Sequence, residues 1–185
     1  MIYEDVIKKI CSRMGDKLFN RYRDVAGGYF ISAIVDTIAG GKGYTLEEIS
    51  PLVEDEKRNL SGNFLDLTEI DNLFQVLSIS RTNYIMKEIT EAEYQRGFTE
   101  EIFEPSGNEV FWYRKGNMVY FVGVEDSIAI VQITYITMPT EPEYSHDLEY
   151  GIGFIHRMIN LAVMKLKVDL GTMKLPEAPE QKEEA

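Results

Sequence analysis

The chain has 185 residues, of which 44% are apolar and 11% aromatic. This composition is typical of a globular protein and excludes a chain that is disordered throughout. The 19 Lys and Arg residues stand against 31 Asp and Glu residues, which gives a formal net charge of −12. A surplus of that sign excludes a protein that holds nucleic acid by neutralising its phosphates. The one cysteine, Cys11, excludes an intrachain disulfide and a cysteine-based zinc site.

The N-terminal sequence mixes acids and bases among its apolar residues, unlike a secretory signal peptide. No later stretch reaches the roughly 20 apolar residues that span a bilayer. We therefore expect a soluble protein that is made in a cytoplasm and has no membrane partner.

Apolar residues recur every three or four positions over residues 2–14, which predicts a first helix that ends near Gly15. Asp16 is placed to cap a second helical region, which continues with the same period to residue 38. We expect the pair Gly27-Gly28 to divide that region into two helical pieces, because glycine weakens a helix interior. Together with the charged run at residues 54–58, these helices make up a helical part that we place at residues 1–60.

Beyond the charged run the apolar period changes to two, which predicts a sheet part over residues 61–140. The clearest local signal is a pair of β-rich runs joined by Lys115-Gly116-Asn117, a tight hairpin in which Gly and Asn tolerate positive φ. A third strand is predicted over residues 127–138. We expect these three runs to form an antiparallel meander.

Two short sequences have the pattern of a capping box, in which Ser or Thr is followed three residues later by Glu. Thr45 and Glu48 predict a short helix over residues 46–49. Thr90 and Glu93 predict a second short helix, inserted between strands of the sheet part.

After the strands, apolar residues follow one helical stripe over residues 148–170, and Gly171 ends it. The last 14 residues, 172–185, combine charges with two prolines and little apolar bulk. The order of elements predicts an α+β fold, with N-terminal helices, a central antiparallel sheet with a hairpin, and a long C-terminal helix. We expect one domain over residues 1–171, whose long helix occupies 141–171, and a flexible acidic arm over 172–185.

The residues that could carry chemistry do not form a convincing set. Cys11 lies on an apolar helix stripe and is predicted to belong to the core. Glu143 and His146 have the Glu-x-x-His spacing of di-metal proteins, but such a site needs a second motif, and Gly153 stands three positions before the other histidine, His156. We therefore predict no catalytic residue, no metal and no cofactor.

The hairpin carries five aromatic residues: Phe111, Trp112, Tyr113, Tyr120 and Phe121. A stacking platform for single-stranded nucleic acid would need more cations than the two that accompany them. Consecutive residues on a strand point to opposite faces, and large apolar patches are rarely left bare. We expect one face of the sheet to be buried against the helices. The other face is predicted to contact a neighbouring subunit, and Trp112, Tyr113 and Tyr120 are the residues predicted to make this interface.

The order of segments resembles that of the head-to-tail adaptor proteins of tailed bacteriophages, the ring proteins beneath the portal that are also called connector, neck or tail-tubular proteins. The opening MIYEDVIKKICSRMGD is similar to the starting helix of that family, and YRKGNMVYFVG resembles its short hairpin. Most of the likeness lies in the passage from ITYITMPT, through the acidic residues 141–149, to DLEYGIGFIHRMINLAVMKL. The glycine pair 27–28 and the charged run 54–58 depart from the family pattern.

This resemblance implies a structural protein of the virion, located in the neck, and no enzyme. Its copies would form a ring, which the resemblance implies to be a dodecamer. This ring would join the portal protein to the next tail or neck ring protein. DNA would pass through without specific binding, since about twelve copies would carry a summed charge of roughly −144 and repel the duplex. In the C-terminal arm, the apolar residues Met173, Leu175 and Pro176 are the predicted portal-binding anchors.

Two alternatives remain open from the sequence. The first is an acidic, non-enzymatic binding or regulatory module for a basic protein partner, which would be a monomer or dimer and would bind more weakly as salt rises. The second is an enzyme that uses a pair of carboxylates in a cleft of the sheet.

Overall fold

The structure, a computed structural model, describes residues 1–100, 108–122 and 130–171. These residues form an α+β protein, which confirms the predicted fold class. Their contacts group the chain into two compact units, Met1–Pro51 with Pro139–Ala185 and Leu52–Met138. We call them the helical unit and the sheet unit. The predicted arm at 172–185 lies outside the described residues.

The helices are α1 (Tyr3–Arg13), α2 (Arg23–Ala39), α3 (Glu91–Glu100) and α4 (Ile152–Asp169). In the helical unit α1, α2 and α4 each pack against the other two. Each helix contributes an apolar stripe, and the largest fully buried side chains of this core are Tyr3, Phe30, Phe154, Ile7, Ile10, Ile34, Ile38, Ile155 and Met158. Cys11 is buried in the same core, as its position on the stripe of α1 predicted.

Helix α2 runs without interruption through Gly27 and Gly28, so the prediction of two helical pieces was wrong. Packing explains why glycine is present there. A Cβ built on Gly27 would lie 2.3 Å from the hydroxyl of Tyr3 and 2.0 Å from Oε1 of Glu141, whereas one on Gly28 would meet nothing within 4 Å. Only a residue without a side chain leaves room for the buried Tyr3 at this position. The packing of Tyr3 outweighs the ~1 kcal/mol that glycine costs inside a helix.

Helix α4 begins at Ile152, four residues later than the pattern of apolar residues predicted, and ends before Gly171, whose φ is +66°. The residues ahead of it form a turn and one isolated bridge, between Asp147 and Ile2 of the N-terminal segment. The amide of Tyr3 donates to the carbonyl of His146 at 2.9 Å, and the amide of Leu148 donates to the carbonyl of Met1 at 2.9 Å. Leu148 is buried, as the apolar pattern implied, although it lies outside the helix.

The sheet unit contains seven strands: β1 (Val53–Asn59), β2 (Phe64–Asp66), β3 (Leu73–Ser80), β4 (Ile85–Glu88), β5 (Glu109–Lys115), β6 (Met118–Val122) and β7 (Ile130–Thr137). One sheet has the order β1-β7-β3 and is antiparallel. The other has the order β2-β6-β5-β4, with β4 parallel to β5 and the remaining pairs antiparallel.

The predicted hairpin is confirmed, with Gly116 at φ +61° in the turn between β5 and β6. The predicted meander was wrong, because β7 pairs with β1 and β3 and so belongs to the other sheet. The prediction that strands begin only after residue 60 was also wrong. The charged run 54–58 lies within β1, whose backbone pairs with β7 along its whole length.

The two sheets share one hydrophobic core. The four-stranded sheet contributes Val110, Trp112, Val119 and Phe121, and the three-stranded sheet contributes Ile79, Val131, Ile133 and Tyr135. The inner face of the hairpin is therefore covered by another sheet, and the expectation that helices would cover it was wrong. Strand β7, which lies in the three-stranded sheet, contributes side chains to this covering layer.

Charged side chains line the inner side of the edge strand β1. Glu54 stands opposite Tyr135 and accepts its hydroxyl hydrogen bond at 2.9 Å, and Arg58 pairs with Glu56 at 3.0 Å. Arg58 also donates to the carbonyl of Glu69 at 2.9 Å. Charges that point inward on an edge strand oppose pairing with a further strand, which explains why such a polar sequence occupies the edge.

Both predicted capping boxes form their hydrogen bonds. Thr90 and Glu93 exchange them at the start of α3, where the amide of Thr90 donates to Glu93 at 2.6 Å and the amide of Glu93 donates to Thr90 at 3.1 Å. Thr45 and Glu48 do the same, but turns follow there instead of the predicted helix, and a 3-10 helix forms at Ser50–Leu52. Within the described ranges, no helix combines the length and the apolar character that crossing a membrane requires.

Candidate interaction surface

Four aromatic side chains form a continuous row on the outer face of the four-stranded sheet. The ring of Tyr113 on β5 stacks on Tyr120 of β6, with centroids 5.3 Å apart, and on Tyr94 of α3, with centroids 4.7 Å apart. Phe64 of β2 extends the row beyond Tyr120, at 6.5 Å between centroids. We call Phe64, Tyr120, Tyr113 and Tyr94 the aromatic row.

The register of the sheet creates this row. Tyr120 stands directly opposite both Phe64 and Tyr113 on the neighbouring strands, and side chains of directly opposite residues share a face. Trp112 and Phe121 alternate to the inner face and enter the core. One hairpin thus supplies both the core of the sheet unit and its outer aromatic surface.

The row is only partly buried. Phe64 is 37% exposed, and the three tyrosines are of intermediate burial. At the far edge of the same sheet, Ile85 on β4 is 50% exposed. Tyrosine and phenylalanine in a half-exposed apolar patch are the side chains that protein interfaces favour, because they bury a large area at little cost in side-chain entropy.

Two charged residues that border the row, Lys115 and Asp66, have partners within the sheet unit. Lys115 pairs with Glu91 at 2.7 Å, which raises the pKa of its ammonium. Asp66 accepts hydrogen bonds from the amide and hydroxyl of Thr68 at 2.9 and 2.7 Å, and these lower the pKa of its carboxyl. A protein that docks on the row would therefore meet these two polar groups with partners of their own.

Tyr113, in the middle of the row, is held in its neutral form. Partial burial, and then the neighbouring tyrosines and Glu91, raise the pKa of the Tyr113 hydroxyl above its ordinary value. The hydroxyl therefore stays protonated across the physiological range. An uncharged aromatic surface of this kind can take part in packing and hydrogen bonding.

The structure separates the three residues that the sequence predicted as an interface. Tyr113 and Tyr120 lie together in the row, whereas Trp112 is 6% exposed and lies in the core between the sheets. The sequence analysis missed Phe64 and Tyr94. Only the strand register and the stacking of α3 on the sheet bring these two residues to the hairpin. The predicted portal anchors Met173, Leu175 and Pro176 lie outside the described residues.

A cleft of about 680 Å³ lies on the three-stranded sheet, where its described lining is Lys57, Ser80, Arg81, Thr82, Asn83, Ile130, Val131 and Gln132. This part of the lining contains no carboxylate, which the enzyme alternative would require. Among the described residues, no group of three or more His, Cys, Asp or Glu side chains could hold a metal ion. The aromatic row is the candidate interaction surface of the described residues.

Comparison with known proteins supplies no further constraint: no family model matches the chain, and no curated protein matches it significantly.

Proposed function

We propose that this chain is the subunit of an oligomeric ring that joins the portal to the tail of a tailed bacteriophage and lets DNA pass. The observation that carries the proposal is the aromatic row, a half-exposed patch of aromatic side chains. Such a patch serves contact with another protein. A structural subunit needs this contact and needs no catalytic group.

The passage on which the family resemblance depends also supports the proposal. Strand β7 ends before Pro139, the acidic residues 141–149 follow, and α4 begins at Ile152. The acidic segment is held in place by Tyr3, whose hydroxyl donates to Glu141 at 2.9 Å, and by backbone pairing with the N-terminus. The N-terminal and C-terminal helices thus form one unit, and the arm 172–185 follows directly after it.

The distribution of charge fits a channel for DNA. Residues 52–138 contain 15 Asp or Glu and 7 Lys or Arg, a formal charge of −8, while residues 1–51 with 139–171 contain 12 and 10, a charge of −2. A ring whose sheet units carry most of the negative charge would repel a passing duplex and would not hold it.

The experiment that tests the proposal is mass photometry of the purified chain, alone and with the portal protein of the same phage, with negative-stain imaging of any large species. We expect a ring, or a ring that saturates the portal at one copy number. A monomer or dimer that does not respond to the portal would contradict the proposal.

The role of the arm is tested by deletion of residues 172–185, which removes Met173, Leu175 and Pro176. We expect portal attachment to weaken at least about tenfold, the loss that removal of a few buried anchor residues typically causes, while the circular dichroism spectrum keeps its helical signal. Wild-type attachment by the truncated chain would show that the anchors lie elsewhere.

One observation favours the alternative function, an acidic module that binds a basic protein. The charge of −8 in the sheet unit would attract a cationic partner at a distance comparable with the Debye length, ~8 Å at physiological salt. This alternative predicts a discrete monomer or dimer whose complex weakens steeply as salt rises. A ring assembly that persists in 0.5 M salt would reject it.

A further inference from the structure

Helix α4 has an apolar stripe on the side that faces away from the helical core. Leu161 is 38% exposed and Met164 is 42% exposed, and Val168, one turn further along, is half-buried. On either side of this stripe, Asn160 accepts a hydrogen bond from Arg13 of α1, and Lys165 contacts Ser32 and Asp36 of α2. We call Leu161, Met164 and Val168 the α4 stripe.

This stripe is additional to the face that α4 buries. The residues that pack into the helical core are Phe154, Ile155, Met158, Ile159, Ala162, Val163 and Leu166. A helix at the surface of a monomer usually carries polar residues opposite its core face. The α4 stripe instead presents three neighbouring apolar side chains, an exposed apolar patch of the kind that marks a protein contact.

We propose that the α4 stripe of one copy docks on the aromatic row of the next, so that the subunits join head to tail. The inference rests on the proposed ring and names the two faces that form its subunit contact. Because the two faces differ, a copy that uses its stripe to bind one neighbour still has its row available for another. Repetition of this contact closes a ring when the rotation between neighbours allows it.

Charge decides that the row meets the helical unit and not a second row. Two rows face to face would bring together two sheet units, each with a formal charge of −8. Residues 1–51 with 139–171 of the helical unit carry only −2, and the cations beside the stripe already have acidic partners, since Arg157 pairs with Glu48 at 2.8 Å and Lys165 pairs with Asp36. Docking of the stripe on the row buries apolar surface without opposing charges.

The two faces also match in size and chemistry. From Leu161 to Val168 the stripe extends ~10 Å along the helix axis at 1.5 Å per residue. Phe64, Tyr120 and Tyr113 lie on three adjacent strands, which span ~10 Å. The flexible thioether of Met164 suits an aromatic surface, because methionine sulfur packs favourably against aromatic rings.

The test uses two full-length variants, each of which destroys one face. Phe64→Glu with Tyr120→Glu removes the row, and Leu161→Glu with Met164→Glu removes the stripe. We expect each variant alone to need at least about a tenfold higher concentration for assembly in mass photometry, because each face would lose two central apolar contacts.

Mixing the two variants gives the decisive result. The row of the second variant and the stripe of the first remain intact, so the mixture is expected to form dimers of twice the 21.3 kDa chain mass and no ring. Dimer formation also proves that both variants are folded. If the faces are correctly assigned, neither variant forms such dimers with itself.

Matched controls place the same charge on exposed apolar residues elsewhere. Leu18 is 78% exposed in the helical unit and Ile130 is 48% exposed in the other sheet, and Leu18→Glu and Ile130→Glu are expected to assemble like the wild type. If either face variant forms a ring as readily as the wild type, the inference is wrong and the ring proposal still holds. A wild type that forms no ring, with or without the portal, overturns both.

Discussion

The helical unit and the sheet unit are built on different principles, although their sizes are similar. The helical unit has half the negative charge of the sheet unit, −4 against −8, and its helices approach closely, as where the hydroxyl of the buried Tyr3 lies against Gly27. The sheet unit is strongly acidic, and its hairpin divides its aromatic residues between a buried core and the exposed aromatic row. Strand alternation alone sends two consecutive aromatic residues, Trp112 and Tyr113, to opposite faces, one into the core and one to the surface.

The largest expected effect comes from truncating, one at a time, the buried and the half-exposed aromatic residue of β5. Trp112→Ala should lower the free energy of unfolding by about 3–5 kcal/mol, because it empties a large volume in the core between the sheets. Tyr113→Ala should cost only about 1–2 kcal/mol, since the ring is partly exposed and loses mainly its stacking on two neighbours. Urea denaturation followed by circular dichroism measures both. Equal costs would mean that the row belongs to the core.

A pair of glycine substitutions tests close packing in the helical unit. Gly27→Ala should lower the free energy of unfolding by about 1–3 kcal/mol, because the new methyl group overlaps the hydroxyl of the fully buried Tyr3. Gly28→Ala is the matched control, with open space around its Cβ, and should raise stability by about 0.5–1 kcal/mol. The ellipticity at 222 nm during thermal unfolding reports both changes. A tolerated Gly27→Ala would show that the helices can separate without loss.

A smaller effect is expected at the charged edge of the sheet unit. Burial, and then the hydrogen bond to Glu54, raise the pKa of the Tyr135 hydroxyl to about 12. Tyr135→Phe should cost about 1 kcal/mol at neutral pH, the usual contribution of one hydrogen bond. Fluorescence of the one tryptophan, Trp112, reports unfolding of this unit.

The same residue predicts the pH dependence. The folded state favours the neutral hydroxyl, so its contribution to stability is complete below the ordinary tyrosine pKa of about 10 and is lost as the pH rises from there through 12. Stability should therefore fall across this alkaline window, and the fall should be shallower in Tyr135→Phe. An identical alkaline profile in both proteins would contradict the role of this hydroxyl.

Local signals in the sequence predicted the elements that local interactions control. The hairpin at Gly116 needs a residue that tolerates positive φ, and the start of α3 needs the reciprocal hydrogen bonds of Thr90 and Glu93, so both were found from a few adjacent residues. The glycine pair of α2 gave a wrong prediction. Glycine weakens a helix locally, but Gly27 is explained by its contact with Tyr3, which is distant in sequence.

The sequence by itself determined the fold class, the burial of Cys11, the hairpin, the end of α4 and the excess of negative charge. These follow from composition, periodicity and backbone chemistry, which act over a few residues. Only the tertiary structure decided which sheet β7 joins, that a charged segment can be an edge strand, and that Phe64 and Tyr94 extend the row begun by Tyr113 and Tyr120. These outcomes depend on strand register between distant segments, because a shift of one residue exchanges the two faces of a strand.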